Sequence, residues 1–92
     1  MNEEDMEKEV LKEKKQAIRD AQEMKALKKT EGWRLLSEHL NSQHNIAASK
    51  LLTEKDIDQI YVLQSKIEII NKIFGYVGYV IKRGEAMAKE VK

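Results

Sequence analysis

The two histidines, His39 and His44, are the side chains best suited to proton transfer or metal binding in this chain. Zinc-binding helices place such a pair four residues apart, so that both rings face one way. His39 and His44 are five apart, which turns one ring well off the other's face. No Glu-x-x-His frame accompanies them and no third ligand stands near, so no metal site is expected. His44 then reads as part of a polar stretch on a helix face, with His39 exposed. Carboxylates are abundant, but residues 1–29 alternate eight acidic with eight basic side chains. That is the pattern of a solvated helix face and not of an acid–base pair held in a cleft. There is no cysteine, which removes disulfides, thiolate metal sites and cysteine nucleophiles together. The expectation is a protein without catalytic residues, bound metal or cofactor.

Gly75-Tyr76-Val77-Gly78 has the look of a short glycine loop that clamps a nucleic-acid backbone. Such loops come with a mixed α/β fold and a basic surround, and no strand-like alternation is present here. Residues 75–92 hold two acidic and four basic side chains, short of the dense basic stripe that phosphate binding demands. Lys82, Arg83 and Lys89 are the candidates for phosphate contacts. The run from Ile67 to Ile81 is fairly apolar, but Glu68, Asn71 and Lys72 interrupt it and it is too short to span a bilayer. A membrane partner is therefore disfavoured. The charged start of the sequence does not resemble a signal peptide.

The elements that would carry these residues are helices. Pro is absent and Gly numbers four, so helix breakers are scarce. Residues 1–29 are nearly all good helix formers with oppositely charged neighbours such as Glu4 and Lys8. Their apolar seam is thin (Val10, Ala17, Met24), which suggests a charged helical arm, helical in part when alone or docked on something else. Thr30 is a candidate N-cap. Trp33, Leu36, Leu40, His44, Ala47 and Leu51 then follow on one helical face, with a polar, weakly helical middle at Asn41–Asn45. Thr53 reads as the cap of a third helix beginning at Glu54, with Leu52 and Ile57 placed for a hydrophobic staple. Ile57, Ile60, Leu63, Ile67, Ile70 and Phe74 continue that helix's face. Gly75-Tyr76-Val77-Gly78-Tyr79 should end it in a turn, before a short basic C-terminal helix. The expected class is all-α: an antiparallel helical hairpin over 30–74, a charged arm over 1–29, and a turn plus short helix over 75–92.

The hairpin carries more apolar surface than it can cover itself. Trp33, Leu40, Tyr61, Ile69, Ile73, Tyr76 and Tyr79 are the interface candidates, because Trp and Tyr anchor protein interfaces and Tyr61, Val62, Ile69 and Ile73 form a second flank. The surplus surface of Tyr61, Ile69, Ile73, Tyr76 and Tyr79 is expected to bind another copy or a larger partner, with the arm docked along it. A chain of 92 residues buries little over half its unfolded surface, so a lone monomer would be marginal and self-association or a larger partner is expected.

Glu31-Gly32-Trp33-Arg34-Leu35-Leu36, Leu51-Leu52-Thr53-Glu54-Lys55-Asp56-Ile57 and Ile60-Tyr61-Val62-Leu63-Gln64-Ser65-Lys66-Ile67 together resemble a set of small bacteriophage helical-hairpin proteins. These are encoded among virion and DNA-packaging genes. The resemblance covers residues 31–70 and leaves out the arm and the Gly-Tyr-Val repeat. It implies a virion or assembly accessory component, located in the virion or the host cytoplasm, that self-associates or docks on a larger phage or host protein. The second reading is a small phage regulatory module that binds nucleic acid or inhibits a host machine.

Overall fold

The computed structural model describes residues 2–91, and all three of its elements are helices: α1 (Glu3–Lys28), α2 (Glu31–Leu51) and α3 (Ile57–Val91). No strand occurs among the described residues. The protein is all-α, as its periodicity implies.

Helix α1 begins at a made cap. The Asn2 side chain accepts a hydrogen bond from the Asp5 amide at 2.8 Å, and Glu3, Glu4 and Asp5 sit in the first turn, where the helix dipole favours negative charge. It is helical throughout. Thr30 caps α2 as expected, its Oγ1 accepting from the Trp33 amide at 3.1 Å. The polar stretch Asn41–Asn45 does not break α2. Leu40, Gln43 and His44 all turn at least partly inward there, and packing outweighs the weak local propensity.

The start of α3 differs from the expected one. The Thr53 and Glu54 amides both donate to the Lys50 carbonyl, at 3.2 and 3.0 Å, so the chain is still closing the last turn of α2 at those residues. Asp56 is the cap: its Oδ1 accepts from the Asp58 and Gln59 amides, and the Ile60 amide donates to its carbonyl at 2.9 Å. Leu52 and Ile57 are 86% and 65% exposed, so they form no staple.

A second correction concerns Gly75–Tyr79. The expected turn and separate C-terminal helix are absent; α3 runs through Gly75, Gly78 and Gly84 as one 35-residue helix, and no residue has positive φ. The heptad seam supplies the reason. Ile60, Leu63, Ile67, Ile70, Phe74, Val77, Ile81, Gly84 and Ala88 alternate steps of three and four and are all at least half-buried. Burial on both sides of the glycines outweighs their cost of about 1 kcal/mol each in a helix interior.

The chain divides into two compact units, Thr30–Tyr76 and Met1–Lys29 with Val77–Lys92, and α3 contributes a half to each. In the first, α2 lies antiparallel to the front half of α3. Trp33 and Phe74 meet edge to face, 6.0 Å between centroids at 82°, and Lys66 Nζ donates to Gln43 Oε1 at 2.7 Å. In the second, α1 packs on the back half of α3 through small residues: Ala17 and Ala21 are buried, as is Gly84. Ion pairs flank that contact, Lys14–Glu90 at 3.1 Å and Lys25–Glu85 at 3.0 Å. The charged arm is thus a full helix, and it pairs with residues 77–91.

Candidate protein interface

The inner seam of α2 consists of Trp33, Ser37, Leu40, His44, Ala47 and Leu51, all at least half-buried. Leu36 is not part of it. At 50% exposed it lies outside the seam, and Ser37 holds the place expected of it. The heptad beat decides this: the steps 4, 3, 4, 3, 4 need residue 37, whatever its polarity.

Trp33 against Phe74 and Gln43 against Lys66 set the register of the α2–α3 pair. Moving seven residues back from Gln43 and seven on from Lys66 places Leu36 level with Ile73. Moving three on from Gln43 and three back from Lys66 places Ile46 level with Leu63, beside Val62. Leu36, Ile46, Val62, Ile69, Ile73 and Tyr76 therefore share one flank of the pair, each exposed by 38–62%. The opposite flank carries Arg34, Glu38, Asn41 and Asn45 from α2 and Gln64, Glu68 and Asn71 from α3, all exposed. The first flank is richer in apolar side chains than the second, with the Gln43–Lys66 hydrogen bond crossing it as its polar element.

Electrostatics reinforce the polar side. Arg34 donates to Glu31 and, at 2.8 Å, to Glu38. The bond from Arg34 holds the Glu31 carboxyl below its ordinary range, and the two carboxylates, Glu31 foremost, hold the Arg34 guanidinium further above its own.

Of the sequence-derived candidates, Ile69, Ile73 and Tyr76 fall together on the apolar flank. Tyr61 is exposed but one position round, toward the polar side, and Tyr79 is exposed in the other unit. Trp33 and Leu40 face the hairpin's own seam. Leu36 and Ile46 join the flank without having been expected there; their distance from the heptad positions was the available signal. Lys82, Arg83 and Lys89 are exposed. Nearby on the same unit, Lys25, Lys28 and Lys29 line a shallow concavity with Ile81. His44 lies in the seam and His39 outside it. No group of three or more metal-binding side chains occurs among the described residues, and none of their helices is long and apolar enough to cross a membrane. No protein-family model matches the chain, and no curated protein or solved structure matches it significantly.

Proposed function

We propose that the chain is a non-enzymatic helical interaction protein, a virion or assembly accessory component of the kind its residues 31–70 resemble. The observation that supports this reading is the one-sided apolar flank of the hairpin, Leu36, Ile46, Val62, Ile69, Ile73 and Tyr76. Solvent-facing apolar surface gathered on one side of a helix pair gains stability only when another surface covers it. The test is a photo-crosslinking side chain at Ile69, with one at Gln64 on the polar flank as control. The expected result is a discrete cross-linked protein product from position 69 alone, with the chain recovered in defined copy number from purified particles by mass spectrometry. No product from either position, together with a folded, stable monomer, rejects the reading.

A second reading, a nucleic-acid-binding regulatory module, draws on the exposed Lys82 and Arg83 and on the Lys25, Lys28, Lys29 concavity. Phosphate contacts release counterions, so binding must weaken steeply with salt. Absence of binding to duplex or single-stranded DNA or RNA at low salt removes it.

A further inference from the structure

We infer that Gly75–Gly78 is a hinge in α3, about which the two compact units of the chain reorient.

The first observation is where the backbone passes between the units. It crosses twice, from Lys29 to Thr30 and from Tyr76 to Val77. No helix runs through the first crossing, because α1 ends at Lys28 and α2 begins at Glu31. The second lies inside α3, with Gly75 immediately before it and Gly78 immediately after it. One link is thus a helix break and the other a glycine pair, and glycine is where a continuous helix bends most readily.

The second observation is that packing does not call for these glycines. Beyond the helix's own backbone, a Cβ added at either would meet nothing within 4 Å. Neither has positive φ, so no turn requires glycine there. Alanine fits at both positions and is the better helix former. Gly84 is the contrast, since the close approach of Ala17 demands it. What glycine supplies at 75 and 78 is backbone freedom, and it does so where the helix changes units. Phe74 packs on Trp33 in one unit, buried Val77 opens the other, and Gly75 and Tyr76 between them are exposed. The remaining open glycine, Gly32, stands in the first turn of α2, just past the other crossing. Hinges are a few such residues that absorb changes in φ and ψ while the packed parts on either side move as bodies. Each unit keeps its own contacts while the angle between them changes.

Absence of cysteine permits paired spin labels at chosen sites. One pair spans the units, Ala26→Cys with Ser42→Cys, and a second lies within one unit, Ser42→Cys with Asn71→Cys; all three positions are exposed. Double electron–electron resonance on the full chain is expected to give a broader distance distribution for the spanning pair than for the pair within one unit. With Gly75→Ala and Gly78→Ala together, the spanning distribution is expected to narrow to the width of the other pair, with helix content by circular dichroism undiminished. A spanning distribution already as narrow as the other when both glycines are present overturns the inference. So does one that stays as broad with both alanines in place. A loss of helix content in the alanine variant also overturns it, because the glycines would then be required by packing.

Discussion

Gly84 lies so close to Ala17 that a Cβ added to it would fall 2.6 Å from the Ala17 carbonyl oxygen, with the Ala21 Cβ nearer still. Both neighbours belong to the opposing helix and one is backbone, so neither can yield by a rotamer change. Gly84→Ala must push α1 away from α3. Overpacking of this kind costs about 1–3 kcal/mol, against a helix-propensity gain of about 1 kcal/mol. The expected outcome is a lower melting temperature by circular dichroism, larger again for Gly84→Val. Gly78→Ala provides the contrast. Nothing lies within 4 Å of a Cβ at Gly78, or at Gly75. Either alanine should raise stability by up to about 1 kcal/mol. A stabilising Gly84→Ala would show that the two helices are not in this contact.

The same glycines explain what the sequence did and did not disclose. The all-α class and the 30–74 hairpin were legible because Leu40, Ile60, Ile67 and Ile70 repeat at helical spacing, and the Thr30 cap because its side chain acts on its own neighbours. Gly75 and Gly78 suggest a turn because propensity is a local quantity, whereas α3 continues through them with Ile70, Val77 and Val80 buried on either side. The pairing of α1 with residues 77–91 was hidden for a related reason. It runs through Ala17, Ala21 and Gly84, and small residues that allow close approach leave almost no hydrophobic signal. The apolar flank is half legible: Val62, Ile69 and Ile73 stand out as a surplus, but Leu36 reads as a seam residue because it is apolar and lies three residues from Trp33.

The junction between α2 and α3 separates two candidate caps. Asp56 Oδ1 accepts the Asp58 amide at 2.9 Å and the Gln59 amide at 3.3 Å, while the Thr53 amide is spent on the Lys50 carbonyl. Asp56→Ala should therefore cost about 1 kcal/mol, the usual loss for removing an N-cap, and Thr53→Ala close to nothing. Urea unfolding of the two variants distinguishes them. A larger loss from Thr53→Ala would move the helix start back to Glu54.

Leu36 and Leu40 are one turn apart and are expected to behave differently. Leu40 lies half-buried in the seam, whereas Leu36 is 50% exposed on the apolar flank. Leu40→Ala removes core contacts and should lower stability by about 2 kcal/mol, the low end for a leucine that is only partly enclosed. Its effect should not depend on protein concentration. Leu36→Ala should cost under about 1 kcal/mol where the chain is monomeric, and the loss should grow with concentration if the flank is covered by another copy. Thermal melts at 2 µM and 100 µM measure both at once, and a concentration-independent Leu36→Ala would argue against any self-contact through this flank.

The Glu31–Arg34–Glu38 cluster gives α2 a pH dependence whose sign follows from its geometry. Arg34 donates to Glu31 and holds that carboxyl below its usual value. A carboxylate whose pKa is lower folded than unfolded contributes stability above the unfolded pKa, and the contribution is lost as pH falls through the folded one. The first turn of α2 should thus be intact at neutral pH and begin to fray as pH drops below about 4.3, the ordinary glutamate value. All three side chains are more than half exposed, so salt should weaken the effect. Arg34→Met should bring the Glu31 titration, followed by NMR of its side-chain carboxyl, back up to the ordinary value. An unchanged Glu31 titration in that variant would mean that the helix N-terminus, and not Arg34, sets its acidity.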